Sequence, residues 1–509
     1  MNPFVRLMSI VLTLLFVACL AVSCATPGDD SSGTTTPTAS ATTPADGDTS
    51  LDSQTENQYD VKNNLPSDLQ FPGQTVRILS RDSDGVRDEI AVNDYIGEPV
   101  NDAIYERNAA VEAQLGIKIS NTKLTGGNYV VTEKIRNLVM AQTDEYDLLA
   151  NSCYSTIMYT SEGLFQDLSH IEYLDLDRIY WSQGFNEVAS FGNRQYFCAG
   201  SIGLTLYRYM FVNMFSKTML KEFGVDDLYA VVNDGKWTLD YQAALASQMY
   251  YDVNGSGTQD AEDKYGFVSG PVAYVDPYWS SCKLPILTKT TDNRYEYALN
   301  VERTALAMDK VLNLYYTCGG SYIYKSVSDA QDQENIASHF ANGRAAMCTL
   351  RLLSVESQTL RDMKDEYGIV PIPKLDEAQD GYQTFVHDQF TALAIPATVP
   401  ESRLDLVGAY MECTACESHR RVIPAYYEVA LKGKYVSDPQ SGQMLDKIYE
   451  NIYIDAGVLY TKVLNSVHQQ LRTIVKSQTN STVTVFKSLN RAIPVLLDKM
   501  MAGLDKLDK

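Results

Sequence analysis

Between Gln74 and Ala150 the chain alternates strand-like and helix-like patterns, and this alternation restricts the fold more than any other feature. Gln74-Thr-Val-Arg-Ile-Leu-Ser80 reads as a short strand. Asp102 to Leu115 reads as an amphipathic helix with Ile104, Val111 and Leu115 on one face, and Gly116 ends it. Ile117-Lys-Ile119 opens a second strand, Thr132 to Gln142 a second helix, and Tyr146 to Ala150 a third strand. Each helix in such a run carries the chain back across the sheet, so the strands lie parallel. The expected class is α/β with a largely parallel sheet. Further on, Leu204 to Asn213 reads as a strand followed by a helix to about Phe223, and Trp237 to Tyr251 reads as a helix. Val301 to Tyr316 and Gln331 to Ala341 are predicted helices, with short strands at 345–349, 367–372 and 390–395. Beyond Glu401 the pattern is mostly helical, and no internal repeat is visible.

The first residues give an address. Arg6 precedes an almost uncharged apolar run of 16 residues, Leu7 to Val22, which ends in Ala21-Val22-Ser23-Cys24. A positive start, an apolar middle and small residues before a cut site form a secretory signal. The run is shorter than the roughly 20 residues of a spanning helix. A Cys directly after the small residues resembles the bacterial lipobox, although Ala21 stands where Leu is usual. That resemblance implies lipidation of Cys24. Residues 25–60 are mostly Thr, Ser, Pro, Ala, Gly and Asp, with no Lys or Arg and almost no large apolar residue, a composition that cannot bury enough surface to fold. They read as a tether.

About 445 residues follow the tether, too many for one core, so two domains are expected. The net charge is −22, and only seven of the acids lie in the tether. An acidic body argues against nucleic acid and anionic membrane surfaces as partners. The 34 Tyr against 15 Phe offer many surfaces that are apolar on the face and polar at the tip, suited to sugars or simply to half-buried packing. The body holds seven cysteines, an odd number that cannot all pair. Cys413-Thr-Ala-Cys416 has no second CxxC and no strand before it, so it reads as helix interior rather than a zinc or redox motif.

One loop carries metal-ligand spacing. Asp252, Asn254, Ser256, Thr258 (through its carbonyl), Asp260 and Asp263 occupy the oxygen positions of a twelve-residue calcium loop, with Gly257 at the sixth position. Ser256 replaces a usual acid and Asp263 replaces the longer bidentate Glu. A structural Ca2+ pinning this loop is one expectation, and a solvated Asp/Gly turn is the other.

Seven segments in order resemble the sugar-binding family of bacterial extracellular solute-binding proteins, the receptors of ABC importers. They are VNDAIYERNAAVEAQLGIKI (100–119), EYDLLAN (145–151), FVNMFSKTMLKEFGV (211–225) with GKWTLDYQAAL (235–245), HFANGRAAM (339–347), YGIVPIPK (367–374), FTALAIP (390–396) and AYYEVALKGKYVSDPQSGQMLDKIYE (425–450). The resemblance spans about residues 70 to 505, in a body somewhat longer than a compact sugar receptor. It implies a two-lobed, type II periplasmic-binding-protein-like fold, each lobe a mostly parallel sheet flanked by helices, with a cleft between them. The expected boundaries are a signal at 1–23, a lipidated Cys and tether at 24–64, lobe 1 at 65–207 plus 384–430, and lobe 2 at 208–383 plus 431–509. Function would then be capture of a carbohydrate by a lipid-anchored monomer outside the cell, hinge closure, and delivery to the permease subunits of an ABC transporter.

Ligands in such folds meet strand ends and the loops after them. The candidates are Arg81 and Asp82 after the first strand, Ser152 and Tyr154 after the third, Tyr207 in the crossing segment, and Tyr274, Tyr278 and Trp279 as aromatic platforms. Arg351 and Asp388 complete the set, with His387 beside Asp388. The competing classes are a surface glycoside hydrolase or esterase, a receptor for another polar solute, and an adhesive lipoprotein. No GxSxG elbow and no HExxH are present, and the five His are scattered. Carboxylate pairs of a glycosidase stay open at this point.

Overall fold

The computed structural model describes residues 58–82, 88–225, 227–325, 328–435 and 438–507; Cys24 and the tether up to Asn57 lie outside them. The first sheet is built from β1 (Thr75–Asp82), β2 (Lys118–Thr125) and β3 (Leu148–Ser152), and is joined much later in the chain by β9 (Thr391–Ala394). Its order is β9-β3-β1-β2; β1 runs parallel to β2 and β3, and β9 antiparallel to β3. Period-two alternation in β1 divides its side chains between two cores. Val76 and Ile78 join one apolar cluster and Leu79 the other. Helix α1 (Pro99–Leu115) starts where the Glu98 carboxylate accepts the N–H groups of Val100 (3.1 Å) and Asn101 (2.8 Å). It ends at Gly116 with φ 66°, the left-handed cap only glycine adopts without strain. Helix α2 (Val130–Met140) returns the chain to β3.

The second sheet has the order β6-β5-β7-β4-β8, with β4 (Phe211–Ser216), β5 (Tyr265–Ser269), β6 (Ser321–Ile323), β7 (Ala345–Arg351) and β8 (Tyr367–Val370). β5, β6 and β7 are parallel, and β4 runs against both β7 and β8. β4, β5 and β7 are buried throughout, as strands covered on both faces must be. Helices α3 (Leu239–Ser247), α4 (Val301–Leu312) and α5 (Asp329–Ala341) belong to this lobe. Thr238 caps α3 by accepting the Tyr241 N–H at 3.2 Å, and the preceding Trp237 is fully buried with its indole N–H on the Pro371 carbonyl at 2.8 Å.

The expected strand over 204–213 divides differently. Thr205–Arg208 is a helical turn and the strand begins at Phe211. The reason is a distant contact: the Glu89 carboxylate accepts both the N–H (3.1 Å) and the hydroxyl (3.2 Å) of Thr205, which pulls the chain into a turn. The chain crosses between lobes here and again at 386–391. The two crossings touch, with the His387 N–H donating to the Tyr209 carbonyl at 3.0 Å. Beyond α6 (Glu401–Glu417), helix α7 (Pro439–Glu450) packs on β8, and α8 (Gln470–Ser477) leads to α9 (Thr482–Asp505). Helix α9 packs on α4 and also reaches back to the first lobe, where the Leu504 carbonyl accepts from Arg194 at 2.9 Å. None of the seven body cysteines forms a disulfide, and all but Cys318 are buried. Among the described residues no helix is long and apolar enough to cross a membrane.

Candidate functional site

The parallel strands of both sheets send their carboxyl ends toward the crossing segments, and the polar residues there are buried. Arg81, next to last in β1, is 6% exposed. One of its nitrogens donates to the Gln389 carbonyl, and its Nε has no partner. Ser152, at the end of β3, is fully buried with an unpartnered hydroxyl. Tyr154 follows, its hydroxyl accepting from that of Tyr129 at 2.5 Å, with the Lys462 ammonium 5.4 Å from its ring. From the other lobe, Arg351 ends β7. It pairs with Asp329 at 3.0 Å, donates to Gln333, and leaves its own Nε unpartnered. Tyr274, in the loop after β5, is buried in the field of Arg351 and Asp329. Gly270 just before it admits no side chain, since a Cβ would stand 2.4 Å from the Asp332 carboxyl carbon.

The crossings supply the floor. Tyr209 lies under Arg351, with the guanidinium carbon 5.5 Å from its ring, and packs edge-on to His387 at 5.9 Å. The His387 Nε2 is 3.8 Å from Asp388, and its Nδ1 is buried without a partner. A third wall comes from the C-terminal segment. His468 Nε2 stands 3.7 Å from Asp388 and 3.8 Å from Asp276, and Arg472 holds Asp276 with two nitrogens, one at 2.7 Å. The loop before His468 carries Asn465 and Ser466 at φ 58° and 53°, a backbone rarely adopted by residues other than glycine.

Burial governs the electrostatics. It pushes the Asp388 carboxyl up to about 7, against the pull of Arg472. It holds His387 and His468 well below their ordinary value, with neighbouring arginines adding to the effect, so both imidazoles are neutral at pH 7. It also raises Asp276, which the Arg472 guanidinium opposes.

Of the ten candidate ligand residues, the structure gathers Arg81, Ser152, Tyr154, Tyr274, Arg351 and Asp388 around this polar core. Four stand apart. Asp82 points to the other side of β1, where Thr125 donates to it at 3.4 Å. Tyr207 stacks on Tyr449 at 4.9 Å and shares a 3.0 Å hydrogen bond with it, away from the cluster. Tyr278 is 1% exposed and packs on Tyr315, so neither ring face is open. Trp279 is 2% exposed; its indole N–H donates to the His468 carbonyl at 2.8 Å, which makes it a support for the third wall rather than a platform. Tyr209, Asp276, Asp329, Lys462, His468 and Arg472 were not among the expected residues. Arg472 lies in the unremarkable helical stretch Gln-Leu-Arg-Thr, and only the packing of α8 against residues 273–275 brings it here.

In the 252–263 loop the oxygens turn to the loop's own donors. The Asp252 carboxylate accepts from the N–H of Ser256 (3.2 Å) and Gly257 (2.8 Å), and Asn254 accepts from Ser256 (2.9 Å). Asn254 also donates to Asp260 at 2.9 Å, and the Ser256 hydroxyl donates to the Thr258 carbonyl at 2.9 Å. Asp263 is fully buried and accepts from Val253, Asp260 and Tyr250. Among the described residues no group of three or more His, Cys, Asp or Glu is placed to hold a metal ion.

No family model matches the chain, and no curated protein matches it in sequence. Solved structures do match in fold. An ABC substrate-binding protein of Listeria monocytogenes in complex with cycloalternan is 13% identical, with 84% of this chain and 99% of that one covered and a TM-score of 0.52. A cyclo/maltodextrin-binding protein complexed with maltotetraose is 12% identical over 85% and 98% of the two chains, TM-score 0.53. The galacto-N-biose/lacto-N-biose I-binding protein of the Bifidobacterium longum ABC transporter, in complex with lacto-N-biose, is 12% identical over 86% and 98%, TM-score 0.53. At this identity the shared property is the fold, and the chain has the two-lobed α/β architecture of the solute-binding proteins of ABC transporters.

Proposed function

We propose that this protein is an extracellular receptor that captures a carbohydrate in the cleft between its lobes and hands it to the permease subunits of an ABC transporter. The observation that carries this reading is the set of buried polar atoms without partners, contributed from both lobes: Arg81 Nε and the Ser152 hydroxyl on one side, Arg351 Nε on the other, and His387 Nδ1 between them. An unsatisfied buried donor costs about 1–3 kcal/mol, and a ligand bound at the crossings would satisfy this group of them. The solved proteins of this fold named above are in complex with cycloalternan, maltotetraose and lacto-N-biose, which supports the substrate class. The crossings at 209–211 and 386–391 lie side by side, an arrangement suited to a hinge. Calorimetric titration with an oligosaccharide panel is expected to give saturable heat with one member and no released product by chromatography. Turnover of a chromogenic glycoside, or heat from no glycan, overturns the reading.

Anchoring at Cys24 belongs to the same proposal. A tethered receptor has a raised effective concentration at its transporter, and stable anchoring takes more than one acyl chain. Cys24→Ser is expected to abolish lipid labelling and release the protein into the medium; a labelled, cell-bound variant refutes the anchor.

Calcium in the 252–263 loop is a separate proposal that rests on the ligand spacing alone. Calcium added to chelator-treated protein is expected to raise the melting temperature, and Asp252→Ala to abolish that rise. A parent protein indifferent to calcium removes the site.

A further inference from the structure

We infer that the cleft selects a carbohydrate carrying an anionic group, a carboxylate or a sulfate, over a neutral one; this rests on the carbohydrate-receptor reading above. The evidence lies in how the chain treats its buried guanidiniums. Arg107 is fully buried with no carboxylate beside it, yet all three of its nitrogens are served, by Asn108, Ser418 and the carbonyls of Glu89 and Ile90. Arg472 is served by both oxygens of Asp276. Arg178, only partly buried, leaves its Nε without an acceptor, but these two guanidiniums are satisfied.

Arg81 is not. It is nine-tenths buried, rests one nitrogen on the Gln389 carbonyl, and leaves Nε without an acceptor. Glu89 is the carboxylate whose charge it feels first, but the Glu89 oxygens are taken by Thr205 and Thr391. Arg351, from the opposite lobe, shows the same deficit at Nε after serving Asp329 and Gln333. Arg351 lies over the Tyr209 ring, Tyr209 packs on His387, and Arg81 donates to the Gln389 carbonyl two residues further on, so the two guanidiniums flank the same crossing segment.

The charges around that segment do not cancel. Asp329 and Asp276 are each paired with an arginine, burial keeps Asp388 about half protonated at neutrality, and both histidines are uncharged. Arg81 is left as a buried cation with no carboxylate in ion-pair contact among the described residues, and Lys462 adds a second cation at the rim over Tyr154. A guanidinium N–H facing an anionic oxygen makes the short, charge-assisted bond that a neutral hydroxyl cannot match. The Asp329 oxygen without a partner takes a donor, which a sugar hydroxyl supplies. A hydroxyl-rich molecule with one anionic group fits both requirements.

The test is a matched titration: oligogalacturonate and a sulfated disaccharide against maltotetraose and lacto-N-biose. Binding of an acidic member at least ~100-fold more tightly than either neutral sugar is expected, the factor that separates a desolvated charge pair from a neutral hydrogen bond. Arg81→Met and Arg351→Met, checked for unchanged circular dichroism, are each expected to lower that affinity ~100-fold. Which acidic sugar binds distinguishes carboxylate from sulfate. Tighter binding of a neutral sugar overturns this inference and leaves the receptor reading standing, and binding of neither class overturns both. Should the methionine variants fail to fold, the panel on the parent protein decides the matter alone.

Discussion

Asp147→Ala is expected to lower the unfolding free energy of the protein by about 3–5 kcal/mol, the cost of breaking a buried ion pair from one side. Asp147, just before β3, is fully buried and is gripped from two directions. Arg77 of β1 reaches it through Nε (3.0 Å), Nη2 (2.6 Å) and its backbone N–H (2.8 Å). Arg403 of α6 reaches it through Nε (2.8 Å) and Nη2 (2.7 Å). One carboxylate therefore ties the first strand of the first sheet to the helix that follows the last. Removing it leaves two partly buried guanidiniums facing a gap. Burial alone would push this carboxyl up, and the hydrogen bonds from Arg77 and Arg403 bring it below its ordinary value. A carboxyl depressed in the folded state stabilises above its unfolded value, and that stability is lost as pH falls through the folded one. The deficit of the variant is thus expected in full at pH 7 and to shrink below about pH 4. Denaturant midpoints for both proteins check it, and a loss under about 1 kcal/mol at pH 7 would show that the grip adds little beyond what solvent offers.

The division between what the sequence made legible and what it concealed follows from range. The strands and helices of 74–150 were legible because period-two and period-3.6 patterns are local, and Gly116 marks a stop by backbone chemistry alone. The placement of Arg81, Ser152 and Arg351 was legible because they lie at the ends of their strands: finding the strand finds the residue. Alternation puts Asp82 on the opposite face of the strand from Arg81, where it meets Thr125. The burial of Tyr278 and Trp279 was not legible, because an aromatic residue after a strand has the same signature whether its ring is open or covered; burial is a tertiary property. The third wall was hidden altogether. Lys462, His468 and Arg472 lie more than seventy residues beyond the last crossing, and no local pattern says that a C-terminal helix folds back over the cleft. The turn at Thr205 was hidden for the same reason, since the carboxylate that bends it belongs to Glu89.

Asp388→Asn is expected to stabilise the ligand-free protein at pH 8.5 by up to about 4 kcal/mol relative to the parent, and to change little at pH 4. The figure is the raising of this carboxyl from 3.8 to about 7 at about 1.4 kcal/mol per pH unit. The sign follows from proton counting. Between about pH 4 and pH 7 the folded chain keeps a proton on Asp388 that the unfolded chain has given up, so the parent loses stability as pH rises through that window and levels off above it. The asparagine has no proton to lose, and its amide keeps an acceptor and a donor in the same place. The groups facing this position are Arg472 and Lys462, which favour the anion, and Asp276 and Asp329, which oppose it. His387 and His468 stand 3.8 and 3.7 Å away, both uncharged. Glu89 and Asp276 are buried carboxyls shifted in the same direction, but they are common to both proteins and drop out of the difference. Chemical unfolding of parent and variant across pH 4 to 9 reads the effect directly. A gap between the two that stays constant with pH would mean that Asp388 is ionised throughout, and that Arg472 and Lys462 overcome its burial.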